Sequence, residues 1–326
     1  MDIESNISLV DGQQGRLIWR GHTLQEVQSW SFSQLAQMLW QKPVSDLQLG
    51  QARQRVTPWI RELLPLGNHL ATMDWLRLAL DRLPEGQNLD WVAALSMALV
   101  LRHNPEARPN PQADHVEDVA SMLHLQDTVG LRSYWNCVAE HGMNASTYTA
   151  RVVASTQAGA RAAISAALGA LQGPLHGGAP GPVLDMLDQL EASPDPEAWL
   201  RQHLQSGQRL MGFGHRIYKV RDPRAEVLHQ ACQALPQLKQ RLELAQQVET
   251  LAMRVLEEYK PERKLDTNVE YYTAILLDGV GFDRQDFTAV FACSRVLGWL
   301  AHIDEQQQEG RLIRPESRYS GPLPVC

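Results

Sequence analysis

The chain has 326 residues, of which 44% are hydrophobic, and a formal net charge of −7 at pH 7. This length is sufficient for two domains or one large one, with enough apolar side chains for an extensive core. The acidic balance argues against a nucleic-acid-binding protein, which needs a basic face, but it is compatible with a local basic site for an anionic ligand.

The sequence carries no signal for export, membrane insertion or metal binding. The N-terminus, Met-Asp-Ile-Glu-Ser-Asn, lacks the features of a signal peptide, and the longest apolar run, Trp91 to Leu101, is too short to cross a bilayer. The cysteines show no paired spacing typical of a zinc site or a disulfide framework; they are Cys137, Cys232, Cys293 and Cys326. We expect a soluble cytoplasmic protein that binds no metal.

The elements predicted along the chain are mainly helical. A hairpin near the N-terminus, Leu9-Val10 and Leu17-Ile18-Trp19 around a Gly-rich turn, is the best strand signal. Ser31 before an apolar periodic segment is typical of a helix N-cap. Three apolar stripes at helical spacing follow: Met73, Leu76, Leu80 and Leu83; Leu244, Val248, Leu251 and Val255; and Phe287, Val290, Phe291 and Leu297. The fold class is therefore all-α with a small hairpin.

Shifts in composition divide the second half of the chain. The stretch Asn144 to Leu171 is rich in Ala, Ser, Thr and Gly, which favours a tight helix or subunit contact, and it ends at the breaker Gly173-Pro174. Ser193 to Pro196 reads as a loop, and long polar helices follow between Arg224 and Tyr259. We predict a second lobe over residues 177–274, and a large domain formed by residues 1–176 and 275–326.

Four short segments place a histidine or a carboxylate beside small residues. They are Glu-His-Gly-Met-Asn at His141, Gly-Pro-Leu-His-Gly-Gly at His176, Gly-Phe-Gly-His-Arg at His215 and Thr-Asn-Val-Glu-Tyr-Tyr at Glu270. Glycine beside a histidine lets the ring and the main chain face the same small molecule. The set forms a candidate acid–base site, with Glu270 as its candidate base.

Each of these features has an ordinary structural explanation. The glycines after His176 are compatible with a simple helix end, and the glycines around His215 with a plain loop. Glu270 near a helix start is favoured by the helix dipole alone. Arg224 and Arg295 are compatible with surface ion pairs. Only the combination of the segments points to a function.

The combination resembles the citrate synthase family. The matching segments are His141-Gly-Met-Asn-Ala-Ser-Thr, Gly173-Pro-Leu-His-Gly-Gly, Met211-Gly-Phe-Gly-His-Arg-Ile-Tyr-Lys, Asn268-Val-Glu-Tyr-Tyr and Ser294-Arg-Val-Leu-Gly-Trp. The N-terminal hairpin also resembles the opening of the family, so the resemblance covers nearly the whole chain. It implies a two-domain helical fold whose smaller domain closes over the substrates.

The resemblance also implies a reaction and roles. Glu270 is expected to take a proton from the methyl group of acetyl-CoA, while neutral His176 donates to the thioester oxygen. His215 is expected to donate to the ketone oxygen of oxaloacetate. The resulting citryl-CoA is hydrolysed to citrate and CoA, and the resemblance implies no metal or organic cofactor.

Binding residues follow from the same resemblance. Oxaloacetate carries two carboxylates, and guanidinium groups bind carboxylates in a bidentate fork. The expected oxaloacetate ligands are His141, Arg224, Arg295 and Arg314. In the family the arginine at the Arg314 position comes from the other subunit, which implies a homodimer. The expected CoA contacts are Met211, Gly212, Phe213, Gly214, Arg216, Lys219 and Arg221.

Two positions depart from the common family pattern. Most members have Asp where this chain has Glu270, and Asn-Glu where it has Pro180-Gly181. A bacterial branch resembles this chain in both features, which favours a re-fitted site over decay. Asp266, four residues before Glu270, is an alternative base. The alternative functions are a 2-methylcitrate synthase using propionyl-CoA, a non-catalytic paralogue that binds CoA esters, and a helical scaffold. We expect no nucleic-acid or membrane partner.

Overall fold

The computed structural model describes residues 3–67, 69–84, 86–125, 127–178 and 180–322. These residues form a mainly helical fold with one small sheet, as predicted. The strands are β1 (Ser8–Asp11), β2 (Arg16–Trp19) and β3 (His22–Thr23). The helices are α1 (Leu24–Val27), α2 (Phe32–Trp40), α3 (Asp46–Arg61), α4 (Leu64–Gly67), α5 (Thr72–Arg82), α6 (Asn88–His103), α7 (His115–Met122), α8 (Thr128–Val138), α9 (Ala145–Ser155), α10 (Gly159–Leu171), α11 (Pro180–Ala192), α12 (Pro196–Gln205), α13 (Pro223–Gln233), α14 (Lys239–Tyr259), α15 (Val269–Val280) and α16 (Phe287–Glu309).

The predicted N-terminal hairpin is confirmed. β1 pairs with β2 in antiparallel register, with Leu9 opposite Ile18, and the short β3 adds a third strand that the sequence did not indicate. Side chains alternate between the two faces of a strand, so Leu17 and Trp19 point together into the core, where both are buried. The hairpin is thereby fixed to the helical body.

Helix starts and apolar stripes are largely as predicted. Ser31 caps α2 in a capping box with Gln34. The stripe of α16 is buried, and almost every residue from Phe287 to Ile303 is buried with it, so α16 runs through the centre of the fold. The stripe predicted for α14 is confirmed as an apolar face: Val248 and Val255 are buried, and Leu244 and Leu251 are half-buried and pack against the core. The fully buried face of that helix follows Leu242, Ala245, Val248, Ala252 and Val255.

The small-residue stretch forms α9 and α10, which pack against each other and against α16. Small side chains let these helices approach closely, which confirms the predicted tight helix contact. α10 ends at Leu171, just before the Gly173-Pro174 breaker. A subunit contact on this pair of helices stays a prediction.

Helices α11 to α14 correspond to the predicted second lobe. α11 ends at Ala192 and α12 begins at Pro196, so the predicted loop between them is present. The predicted border at residues 274–275 falls inside the continuous helix α15. The division into two domains that move relative to each other stays a prediction.

Within the described ranges, no helix is long and apolar enough to span a membrane. The same residues contain no cluster of three or more His, Cys, Asp or Glu side chains suited to a metal ion. Cys137, Cys232 and Cys293 are free and buried.

Candidate active site

The first site histidine lies in the turn between α8 and α9. His141 is buried, and its Nε2 lies 3.1 Å from the hydroxyl oxygen of Tyr218. The next residue, Gly142, has a φ of +56°, a left-handed conformation that side chains with a Cβ rarely adopt. Burial, reinforced by Arg224 and Arg295, lowers the pKa of His141 well below its usual range. His141 is therefore a neutral hydrogen-bonding group.

The loop that carries His215 is fixed to the segment before α15. The amide of Gly214 donates to the carbonyl of Asp266 at 2.7 Å, and the amide of Asn268 donates to the carbonyl of Gly212 at 2.9 Å. Gly212 and Gly214 have φ values of +85° and +78°, and a Cβ on Gly212 would lie 2.7 Å from the ring of Tyr271. The chain therefore needs glycine at both positions to bring the His215 loop against the Glu270 segment.

The backbone fixes the tautomer of His215. Its Nδ1 accepts hydrogen bonds from the amides of Ile217 at 3.1 Å and Tyr218 at 3.2 Å. Since both partners are donors, Nδ1 carries no proton and Nε2 carries it. Burial, with Arg224 and Lys219 adding to the effect, lowers the pKa of His215 to about 4. The ring lies 5.6 Å from that of His141, edge to face.

His176 lies in the turn between α10 and α11. Its Nε2 is 2.9 Å from Oγ of Ser146, which also lies 2.8 Å from Oδ1 of Asn144 and accepts from Nε1 of Trp299 at 3.1 Å. Burial, assisted by Arg295 and Arg224, lowers the pKa of His176 to about 4. The imidazole is therefore neutral at physiological pH and is oriented by a serine that is itself held on two sides.

Glu270 stands in the first turn of α15. Asn268 caps this helix, because its Oδ1 accepts the amide of Glu270 at 2.9 Å. Burial raises the pKa of Glu270 to about 7; Asp222 adds to the rise, and Arg224 and Arg295 oppose it. A carboxylate poised near neutral pH is suited to act as a general base.

Asp266, the alternative base, has other partners. Its Oδ1 accepts the amide of Thr267 at 2.8 Å and lies 3.9 Å from the guanidinium of Arg221. The structure therefore favours Glu270.

Arg224 and Arg295 are both buried, so a surface ion pair is the wrong explanation for them. Arg224 forms a fork with Asp222, with distances of 3.0 Å to Oδ1 and 2.7 Å to Oδ2. Arg295 has no such carboxylate: its Nε donates to the carbonyl of Val138 at 2.7 Å, and its Nη2 has no hydrogen-bond partner among the described residues. Burial lowers the pKa of Arg295 to about 10; the charge of Glu140 opposes the fall and that of Arg224 adds to it. No carboxylate of the described residues lies within ion-pair distance of this buried guanidinium, so Nη2 is available to an anionic ligand.

The other residues predicted to bind oxaloacetate or CoA lie further from the buried histidines and Glu270 or are exposed. Arg314 is exposed on the segment after α16, and no hydrogen bond joins it to a described residue of this site. Arg216 and Lys219 are exposed, as phosphate-binding residues must be. Arg221 instead turns inward and pairs with Glu249 at 2.6 Å. Its prediction as a phosphate contact has the least support.

Sequence reasoning missed the residues that support the site. Ser146 orients His176, Tyr218 contacts His141, and Asp222 holds Arg224. Asn144 and Asp222 each precede a helix and act as N-caps, a signal readable from the sequence. Nothing local points to Tyr218, because its contact with His141 crosses 77 positions of the chain.

The comparisons with known proteins agree with this geometry. A family model described as "Citrate synthase, C-terminal domain" matches residues 2–316. The chain belongs to the citrate synthase family. The family inferred from the motifs is therefore confirmed, whereas assignment to the bacterial branch with glutamate at the base position stays a prediction.

Curated relatives of the chain are also citrate synthases by name, and they match part of its length. "Putative citrate synthase 2" of Mycobacterium tuberculosis is 49% identical over 192 residues, which are 59% of this chain and 51% of that protein. The chain thus spans about half the length of curated relatives of this kind.

Two solved citrate synthases share the fold. The crystal structure of the enzyme from Thermotoga maritima matches with a TM-score of 0.85 and 30% identity, covering 99% of this chain and 94% of that one. The ternary complex of the Thermoplasma acidophilum enzyme with carboxymethyl coenzyme A and oxaloacetate matches with a TM-score of 0.85, covering 99% and 95%. At 23% identity, this second match concerns the fold alone.

Proposed function

We propose that this protein condenses acetyl-CoA with oxaloacetate and water to give citrate and CoA. The observation that carries the proposal is the buried Arg295, which has no carboxylate partner among the described residues, in a site with three neutral histidines and one carboxylate of raised pKa. This combination suits a dianionic keto acid and the formation of an enolate beside it. The names of the relatives support the same reaction and favour citrate over 2-methylcitrate.

The first step is removal of a proton from the methyl group of acetyl-CoA. A thioester methyl group is a very weak acid, so a carboxylate needs a hydrogen-bond donor at the thioester oxygen, where the negative charge develops. In the proposal, Glu270 takes the proton and neutral His176 donates to that oxygen from Nδ1. This role requires the hydroxyl group of Ser146 to donate to Nε2 of His176. A neutral imidazole suits this role because it donates a hydrogen bond to the enolate oxygen without forming an ion pair with it.

The second step forms the carbon–carbon bond. The enolate carbon attacks the ketone carbon of oxaloacetate, and the ketone oxygen becomes a hydroxyl group. His215 is suited to this oxygen because its proton is fixed on Nε2 by the amides of Ile217 and Tyr218. Water then cleaves the thioester of citryl-CoA, releasing citrate and the CoA thiol.

Oxaloacetate is assigned to the arginines and to His141. Arg295 offers Nη2, which has no hydrogen-bond partner in the described part of the chain, and Arg224 offers a second guanidinium that Asp222 holds in place. His141 adds a neutral donor. Arg314 of the partner subunit is proposed to complete the clamp in a homodimer, which agrees with its exposure in a single chain.

CoA is assigned to the loop before His215 and to the exposed cations after it. Met211, Gly212, Phe213 and Gly214 offer main chain at the edge of the site, and Arg216 and Lys219 offer positive charge for phosphates. Closure of residues 177–274 over the bound oxaloacetate is proposed to exclude water and complete the acetyl-CoA site. The reaction is placed in the cytoplasm and needs no metal or organic cofactor.

A thiol-release assay with product identification tests the proposal. The protein is incubated with oxaloacetate and either acetyl-CoA or propionyl-CoA, and the controls omit oxaloacetate or the acyl-CoA. We expect thiol release only when oxaloacetate and an acyl-CoA are both present, with citrate as the product from acetyl-CoA. The specificity constant should be larger for acetyl-CoA than for propionyl-CoA. A larger constant for propionyl-CoA would make the protein a 2-methylcitrate synthase, and no release with either would leave the non-catalytic paralogue.

A further inference from the structure

The N-terminal hairpin, residues 8–19, packs against the loop that follows His215. The amide of Lys219 donates to the carbonyl of Gly12 at 2.8 Å. A Cβ on Gly12 would lie 2.3 Å from the carbonyl oxygen of Ile217, and one on Gly15 would lie 2.8 Å from Cγ2 of Val220. The turn of the hairpin is therefore in close main-chain contact with residues 217–220, and glycine at position 12 is what permits this contact.

The same hairpin also packs against the turn that carries His141. Oγ of Ser8 donates to Oε1 of Glu140 at 2.8 Å, and the amide of Gly142 donates to the same carboxylate oxygen. A Cβ on Gly142 would lie 3.0 Å from Cγ2 of Val10. The residues on both sides of His141 thus rest on β1.

The hairpin is suited to hold these two loops because it is itself rigidly placed. Leu17 and Trp19 are buried in the core. Glu140 is also fully buried, and its Oε1 accepts a hydrogen bond from Nε2 of His302 on α16 at 3.0 Å. The hairpin and the His141 turn are therefore joined to the central helix of the fold.

A displacement of residues 217–219 would reach both histidines directly. The amides of Ile217 and Tyr218 hold Nδ1 of His215, and the hydroxyl group of Tyr218 lies against Nε2 of His141. The hairpin touches the chain at the next residue, Lys219. Its position is thus transmitted to His215 by two hydrogen bonds and to His141 by one.

We propose that the N-terminal hairpin is a positioning element for the condensation: in the arrangement of the two lobes seen in this structure, it holds the His215 loop and the His141 turn at the spacing that oxaloacetate requires. None of its residues contacts substrate in this account, so they are positioning residues. The inference rests on the proposed function, because it assigns both histidines to oxaloacetate. It predicts a larger effect on oxaloacetate than on acetyl-CoA, because the displaced residues 217–219 hold both histidines directly and only flank the proposed phosphate contacts.

Gly12→Ala tests the inference, with Gln14→Ala as the matched control in the exposed part of the same turn. The added methyl group must displace the main chain at Ile217, and misplacing a reacting geometry by about 1 Å can cost roughly a hundredfold in rate. We expect Gly12→Ala to lower kcat/KM for oxaloacetate by about tenfold to a hundredfold, and to raise KM for oxaloacetate by more than it raises KM for acetyl-CoA. Gln14→Ala should match the wild type. A merely structural role would instead lower the active fraction and leave both KM values unchanged.

Ser8→Ala tests the other end of the hairpin and replaces the first variant if that one fails to fold. It removes one hydrogen bond to Glu140, so we expect KM for oxaloacetate to rise by about threefold to tenfold. Wild-type KM for oxaloacetate in both variants would overturn the inference, as would an equal change in both KM values.

Hydrogen exchange in the absence of substrate separates this inference from the proposed function. The amide of Lys219 should exchange faster in Gly12→Ala than in the wild type and in Gln14→Ala. An inactive wild type would refute the proposed function, and the positioning role would be overturned with it only if exchange at residues 217–219 were also unchanged.

Discussion

The amide of Tyr218 donates a hydrogen bond to Nδ1 of His215 at 3.2 Å, and this contact settles which nitrogen of the imidazole holds its proton. The amide of Ile217 makes the same contact at 3.1 Å, so Nδ1 has two donors and accepts from both. Nε2–H is then the donor available to a ligand. The backbone has prepared this histidine to donate a hydrogen bond without carrying a positive charge.

Nitrogen NMR of the histidine rings tests this tautomer directly. At about pH 6, His215 should show the shifts of a neutral ring protonated at Nε2, because burial lowers its pKa to about 4. A surface histidine such as His124 serves as an internal reference. A doubly protonated His215 ring at this pH, or a proton on Nδ1, would contradict the assignment.

The raised pKa of Glu270 predicts a pH profile. A general base must be deprotonated to act, and burial raises the pKa of this carboxyl group to about 7. The value of kcat/KM should therefore increase as the pH rises through about 7, and level off above it. In Glu270→Asp the rise should move with the pKa of the new carboxyl group. An acidic limb at the same pH in both proteins would assign the limb to another group.

The Nη2 of Arg295, which has no hydrogen-bond partner among the described residues, leads us to expect that substitution of Arg295 weakens oxaloacetate binding more than it lowers stability. Arg295→Met should raise KM for oxaloacetate by about tenfold to a hundredfold, the equivalent of one charge-assisted hydrogen-bonding group. It should cost less stability than the loss of an ion-paired buried arginine, because no carboxylate of the described residues lies within ion-pair distance of the guanidinium. The losses are one hydrogen bond to the carbonyl of Val138 and the more distant attraction of Glu140.

Arg151→Met is the matched control. Arg151 is equally buried, but its guanidinium contacts Glu305 at 2.5 Å and Glu309 at 3.3 Å. Glu305 and Glu309 keep 19% and 45% of their side chains exposed, so water can solvate the charges left behind. We expect a loss of about 1.5–3 kcal/mol in the free energy of unfolding. KM for oxaloacetate should change much less than in Arg295→Met. The reverse pattern in the two variants would refute the division between a ligand-binding and a structural arginine.

The ion pair of His103 with Asp286 predicts a pH-dependent contribution to stability. Nε2 of His103 lies 2.9 Å from Oδ2 of Asp286, and the hydrogen bond to Asp286 raises the pKa of His103 above its usual value of 6.5. Since the folded-state pKa is the higher one, the contribution is complete below about 6.5 and is lost as the pH rises through the folded value. The ring is 35% exposed, so the effect is small. Unfolding at pH 5.5 and 8 should show it in the wild type and not in His103→Gln.

Local signals in the sequence predicted much of the fold. Ser31 was readable as a cap because capping depends on its immediate neighbours, and the hairpin was readable from two apolar pairs around a Gly-rich turn. Periodicity also found the apolar face of α14, but it did not show that Leu244 and Leu251 lie at the half-buried edge of that face.

Short motifs in the sequence named the candidate site residues His176, His215 and Glu270, but not their structural partners. The charge of Arg224 acts on all three residues, and that of Arg295 acts on His176 and Glu270. That Arg221 would pair with Glu249 was not readable, because the contact joins elements 28 positions apart. The same holds for the hairpin, whose contacts with residues 217–220 depend entirely on tertiary packing.

The central claim is that this site forms citrate with Glu270 as the base. The most direct measurement is thiol release from acetyl-CoA in the presence of oxaloacetate, with citrate identified, in the wild type and in Glu270→Gln side by side. The glutamine keeps the size of the side chain but cannot accept the proton, so we expect a loss of roughly a hundredfold to ten-thousandfold in kcat. Undiminished citrate formation by Glu270→Gln would contradict it.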